Sequence, residues 1–252
     1  METVNLFYKE FGSGKPIIFI HGYPLDHTIW LPLVPELQKH AQLILPDLRG
    51  YGQSPAPSGV YSMELLAADI LILMDKLSLE KAVIAGHSVG GYIALHFARD
   101  YPDRLAGLAL VASHCYSDSP ELIQNRLETA EKVERTGNAK FIAESILPNL
   151  TPNEALQEKL GLLIERAKPA GVAGILRGMA QRKETCEVLS NLDVPTVIIA
   201  GEMDKHLSIN EAQQMTAMLK KPWLEIIRGA GHMPMMEAPQ QVTQILLSLL
   251  RQ

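Results

Sequence analysis

The stretch from Lys81 to Arg99 constrains this chain more than any other. An apolar segment, Lys81-Ala82-Val83-Ile84-Ala85, leads into Gly86-His87-Ser88-Val89-Gly90-Gly91, and a helical segment, Tyr92 to Arg99, follows at once. Glycines at 86 and 90 flank one serine in the order G-x-S-x-G. Between a strand and a helix the chain must turn sharply, and glycine removes the side chains that would collide there. The serine is left in the open, beside backbone N–H groups that the first helical turn leaves without partners. A hydroxyl next to an anion-stabilising helix start is what acyl transfer requires.

The rest of the chain repeats this alternation. Val4–Phe11 reads as an opening strand or hairpin arm. Pro16–Ile20, Leu43–Leu45, the Val83 segment and Leu105–Val111 are short and almost wholly apolar, as expected of strands covered on both faces. Ser62–Leu77 has apolar residues at helical spacing, with Ser62 placed to cap it. After Ser113 the texture changes. Residues 121–184 are helical in period, without a convincing strand, and are cut into short helices by Gly137-Asn138, Pro148-Asn149, Pro152-Asn153 and Lys168-Pro169. The charged run Glu131–Arg135 is a solvated helix face. Alternation resumes with the strand Thr196–Ala200, the helix Ile209–Leu219, the strand Trp223–Ile227 and a last helix from Pro239. The fold class is α/β, a doubly wound and mostly parallel sheet with a helical cap inserted after its sixth strand. The division is a core over 1–114, a cap over 115–187 and a second core part over 188–252.

Composition narrows the partners. With 23 basic and 28 acidic residues the net charge is −5, and no lysine or arginine run is present, which argues against nucleic acid or an anionic membrane. No apolar stretch approaches the length of a membrane span. Met1-Glu2-Thr3-Val4-Asn5 is acidic and polar where a secretory leader would be basic and then apolar. The two cysteines, Cys115 and Cys186, fall at opposite ends of the insertion and are expected to be free thiols in a reducing cytosol. The expectation is a cytoplasmic protein.

A serine nucleophile needs a base, and the base needs an orienting acid. Gly201-Glu202-Met203-Asp204 follows the strand Thr196–Ala200, and Gly229-Ala230-Gly231-His232-Met233-Pro234 follows the next strand. Asp204 and His232 therefore fall at the sheet edge where Ser88 lies, the usual place for a site in such sheets. Upstream, His21-Gly22-Tyr23-Pro24 follows the strand Ile17–Ile20. With these segments in order, and with Asp47-Leu48-Arg49-Gly50-Tyr51-Gly52-Gln53-Ser54 between them, the chain resembles the α/β-hydrolase superfamily and its small cofactor-free serine hydrolases. The resemblance implies Ser88 as nucleophile, His232 as general base and acid, and Asp204 as the group that fixes the imidazole tautomer. It also implies that the backbone N–H groups of Tyr23 and Val89 hold an oxyanion, with no cofactor and no metal. Asp118 is the alternative acid.

Simpler roles fit the other candidates. His21 and His87 read as structural, His206 as exposed, Asp47 and Arg49 as loop architecture, and Met233, Met235 and Met236 as packing around the histidine loop. Leu25, His114, Phe141, Ile146 and Met233 are candidates for a substrate pocket. Leu122, Leu150, Leu163, Ile164, Leu176 and Met179 of the insertion could join them. The serine excludes the relatives of this fold that use an aspartate nucleophile. The leading expectation is a carboxylesterase acting on a small ester. Enol-lactonase, carbon–carbon bond hydrolase, pimeloyl-carrier methyl ester esterase and haloperoxidase or perhydrolase activities stay open on the same triad. So does a ligand receptor built on a hydrolase fold.

Overall fold

The computed structural model describes residues 4–252; the Met1–Thr3 part of the N-terminal reading lies outside the described residues. The strands are β1 (Tyr8–Phe11), β2 (Pro16–Ile20), β3 (Gln42–Pro46), β4 (Ala82–His87), β5 (Leu105–Val111), β6 (Thr196–Gly201) and β7 (Leu224–Ile227). They form one sheet in the order β1-β3-β2-β4-β5-β6-β7. β1 is antiparallel to β3, and every other pairing is parallel. Every residue of β4 and β6 is buried, on both faces of the sheet. Helices on both sides account for that, and for apolar runs that do not alternate with polar residues.

The helices of the first half are α1 (Val34–Leu37), α2 (Met63–Lys76) and α3 (Val89–Asp100). The Ser62 hydroxyl caps α2 by accepting the Leu65 N–H at 3.2 Å. α3 begins at Val89, directly after the serine, rather than at Tyr92. The insertion holds α4 (Pro120–Thr136), α5 (Lys140–Leu150), α6 (Glu154–Glu165), α7 (Pro169–Gln181) and α8 (Cys186–Asn191). It leaves from β5, the strand expected to precede it, although that strand is the fifth in chain order rather than the sixth. α4 packs along α7, and α5 along α6. The core closes with α9 (Ile209–Met218), α10 (Pro234–Glu237) and α11 (Pro239–Leu250). No helix among the described residues is long and apolar enough to cross a membrane.

The cysteine expectation is overturned. Cys115 and Cys186 are joined in a disulfide, with 4.8 Å between their Cα atoms. The physical reason is that the insertion leaves and rejoins the core at one point, where the Thr185 N–H donates to the Cys115 carbonyl at 2.9 Å. Residues 71 apart in sequence thereby become neighbours. The cytoplasmic expectation loses the support it took from free thiols, since disulfides persist mainly in oxidising compartments.

Candidate active site

Because β2, β4, β5, β6 and β7 are parallel, their C-terminal ends share one edge, and the segments singled out in the sequence all emerge there. Ser88 sits between β4 and α3 with φ +52° and ψ −117°, a conformation that costs a serine about 1–3 kcal/mol and persists only where the surroundings dictate it. Backbone packing dictates it here. A Cβ on Gly90 would lie 2.3 Å from the Ile20 carbonyl oxygen, and one on Gly86 would lie 2.3 Å from the Gly90 carbonyl oxygen. The Ser113 hydroxyl adds a 2.7 Å bond to the Ser88 carbonyl. β2, β4 and α3 thus interlock without side chains, and no residue larger than glycine fits at either position.

Val89 is the first residue of α3, so its N–H has no acceptor within the helix. Neither that N–H nor the Tyr23 N–H meets an acceptor among the described residues. Both belong to the segments that the sequence pattern assigned to an oxyanion.

His232 and Asp204 are brought together. Nδ1 of His232 lies 2.9 Å from each carboxylate oxygen of Asp204. Both side chains are almost fully buried. Burial alone would raise the Asp204 carboxyl. The bond from His232 and the N–H groups of His206 and Leu207, at 2.7 and 3.2 Å, outweigh it and hold the group below its ordinary value. An imidazole whose Nδ1–H faces a carboxylate keeps a lone pair on Nε2. Asp118, the alternative acid, is committed elsewhere, to Arg126 at 2.6 Å and Arg182 at 2.7 Å.

Sequence reasoning missed the mounting of the histidine loop. Glu237 of α10 accepts the N–H groups of Gly231 and Met233, at 2.9 and 3.2 Å, so it grips the residues on either side of His232. Its other oxygen takes the Thr151 hydroxyl at 2.6 Å, and the His232 N–H donates to the Leu150 carbonyl at 2.9 Å. The insertion therefore helps to hold the histidine. Glu237 stands five residues after His232 at the end of a Pro-initiated turn, which was a usable signal; Thr151, 86 residues from Glu237, gave none.

Ser88, His232 and Tyr23 line one cavity of about 290 Å³. Among the proposed pocket residues, His114, Phe141 and Ile146 line it, as do Leu122, Leu150, Leu176 and Met179. Leu25 and Met233 do not. Leu25 is buried against a separate space of about 200 Å³ shared with Leu163, and Met233 is fully buried where α10 starts. Ile164 is also fully buried in the core. Burial direction decided these positions, and an apolar loop residue carries no sequence mark of it. Arg126 and Tyr92 line the cavity without having been expected to. His206 is exposed, yet its ring packs edge-on against that of His232 with centroids 4.7 Å apart.

His21, His87 and His27 are bonded within the framework of the fold. Nε2 of His21 accepts the Leu48 N–H at 2.9 Å, and Nε2–H of His87 donates to the His232 carbonyl at 2.8 Å. Asp47 accepts from His27 and from the Gln53 N–H, and Arg49 pairs with Asp69. These bonds brace the loop after β3.

Comparison with known proteins identifies the family and the fold. The chain belongs to the α/β-hydrolase family, whose model, described as the alpha/beta hydrolase fold, matches residues 15–239. A solved thermophilic esterase from Thermogutta terrifontis is 39% identical and superposes with a TM-score of 0.95 over 98% of this chain and 93% of that one. The enol-lactonase from Burkholderia xenovorans LB400, at 23% identity, shares the fold with a TM-score of 0.89 over 99% of this chain and 97% of its own. The AB hydrolase superfamily protein YisY of Bacillus subtilis (strain 168) is 29% identical over 97% of this chain and 95% of its own length.

Proposed function

We propose that the protein is a serine carboxylesterase that cleaves small esters through an acyl-enzyme on Ser88. The observation that carries this reading is the pairing of Asp204 with Nδ1 of His232, in a cavity that His232 shares with Ser88. The likeness to the Thermogutta terrifontis esterase supports the choice of ester over other substrates.

The steps follow from the groups present. Nε2 of His232 takes the Ser88 proton as Oγ attacks the ester carbonyl, and the charge that develops on the carbonyl oxygen is held by the N–H groups of Val89 and Tyr23. One such donor contributes about 2.7–4 kcal/mol to the transition state. The imidazolium then protonates the departing alcohol, leaving the acyl group on Oγ. Water attacks the acyl carbon while His232 takes its proton, and the proton returns to Oγ as the acid leaves. Asp204 fixes the tautomer and balances the imidazolium throughout. Helices α4 to α7 act as the cap that encloses the acyl group.

Steady-state hydrolysis of p-nitrophenyl acetate and butyrate tests this. Wild type is expected to turn over many times per molecule, and Ser88→Ala to fall to the uncatalysed rate. Undiminished hydrolysis by Ser88→Ala, or a single stoichiometric burst from wild type, contradicts the proposal.

A further inference from the structure

The insertion side of the cavity carries a charge that the ester-hydrolysis steps do not use. Asp118 sits between two arginines. Nε and Nη2 of Arg126 lie 2.6 and 3.3 Å from its oxygens, and Nη2 of Arg182 lies 2.7 Å away. Two guanidiniums, each permanently charged, share one carboxylate, so the cluster carries one positive charge in excess. It is also poor in acceptors. Arg182 spends Nη1 on the Tyr116 carbonyl and stacks over the Tyr92 ring at 3.9 Å, while its buried Nε has no partner. Two other acids near the site are committed, Asp204 to His232 and Glu211 to the capping box of α9.

Of the two arginines, Arg126 is the one that lines the cavity. Asp118 occupies its Nε and Nη2 edge. Nη1 meets only the Met179 sulfur at 3.2 Å, a weak acceptor that a carboxylate oxygen would outcompete. The cavity walls are mixed, with Leu122, Ile146 and Leu176 beside the neutral polar side chains of Asn125, Thr129 and Ser145, and the side chain of Arg126 is only 14% exposed. Nδ1 of His114 on the same cavity is likewise buried without a partner. A largely buried charge with one edge on a thioether and only neutral groups around that edge is costly, and an anion entering the cavity would offset that cost.

We propose that the cavity selects short esters carrying a carboxylate, and that Arg126 binds that carboxylate through Nη1. The proposal rests on the esterase reading of the same site. The cavity volume of about 290 Å³ suits a short acyl chain with one ionised end.

Two substrates with the same number of acyl carbons, p-nitrophenyl hydrogen glutarate and p-nitrophenyl valerate, separate the alternatives, with Ser88→Ala as the blank for spontaneous hydrolysis. Wild type is expected to favour the glutarate. Arg126→Gln is expected to lower the glutarate-to-valerate ratio of kcat/KM by about tenfold or more, equivalent to about 1.4 kcal/mol. A ratio unchanged by Arg126→Gln, with both esters losing equally, assigns Arg126 to packing and overturns the proposal. The melting temperature of wild type with free glutarate or with neutral glutaramide needs neither turnover nor a variant. Glutarate should stabilise the protein more. If the amide stabilises it as well as the acid, the proposal fails. If wild type hydrolyses neither these esters nor p-nitrophenyl acetate and butyrate, the esterase reading fails, and the melting comparison still decides the anion site. If it hydrolyses acetate and butyrate but not the glutarate, the carboxylate proposal fails and the esterase reading stands.

Discussion

On the sheet side of the cavity, Ser88, Tyr23 and His232 are mounted by backbone; on the insertion side, Arg126, Met179 and Phe141 are mounted by side chains. Gly86 and Gly90 touch backbone oxygens directly, and Glu237 and the Leu150 carbonyl hold the histidine loop through its N–H groups. Opposite them, Asp118 bridges two arginines, Arg177 pairs with Glu134, Lys132 covers the Phe141 ring at 3.8 Å, and one disulfide closes the base. Backbone packing admits almost no substitution. Side-chain packing admits many, with a change of cavity shape each time. The proposed division of labour follows: reaction type resides on the rigid side and substrate choice on the variable side.

The comparison breaks most sharply at the acids. Asp204→Asn is expected to lower kcat by about 10⁴-fold, because the amide no longer enforces the required imidazole tautomer. Asp118→Asn should act instead on stability, by leaving the buried Arg182 and the partly buried Arg126 short of their anion. Kinetics and melting curves on both variants read the difference; a kcat collapse in Asp118→Asn with none in Asp204→Asn would reverse the assignment.

The next effect belongs to the insertion. The disulfide closes a loop of 71 residues, for which chain entropy gives about 4 kcal/mol. The double variant Cys115→Ala, Cys186→Ala should melt roughly 10 °C lower. Its kcat on p-nitrophenyl acetate should change far less than that of Asp204→Asn. An unchanged melting temperature would mean that the bond contributes nothing to stability.

Thr151→Val tests one of the places where the two sides meet. It removes a hydroxyl bonded to a carboxylate, a loss of about 1.5–3 kcal/mol. Because Glu237 also grips the residues beside His232, kcat should fall together with stability. A loss of stability at constant kcat would uncouple the insertion from the histidine.

The smallest effect is set by pH. Burial first, and then the charge of Arg182, push the His114 imidazole down to about 4 from 6.5. Between those values the unfolded chain binds a proton that the folded protein does not, so stability falls as the pH drops through that window. From pH 7 to pH 5 the share of His114 is about 2 kcal/mol, and His206, pushed down to about 4 by desolvation and by His232, adds a loss in the same window. His114→Gln should make the dependence of melting temperature on pH shallower, with His206 and the buried His87 keeping the rest, whereas an equally steep slope would place the protons elsewhere.

These contrasts also explain what the sequence disclosed. The elbow at Ser88 was legible because only glycine tolerates the contacts at 86 and 90, and such a constraint leaves its mark in the residues themselves. Asp204 and His232 were legible because each directly follows an apolar strand in a parallel sheet, and those strand ends share an edge. The pairing of Cys115 with Cys186 was not, because it depends on where the insertion rejoins the core. Leu25 and Met233 were misplaced for a related reason: an apolar side chain in a loop turns toward cavity or core according to neighbours far away in sequence. Arg126 was one basic residue among many in the insertion until Asp118 and Arg182 were seen around it.

The central claim, that Ser88 is the nucleophile activated by His232, is tested most directly by fluorophosphonate labelling read by intact mass and peptide mapping. One adduct per chain, on the peptide containing Ser88 and lost in both Ser88→Ala and His232→Gln of unchanged melting temperature, is the predicted result. Labelling on another residue, or labelling undiminished in folded Ser88→Ala, would contradict the account.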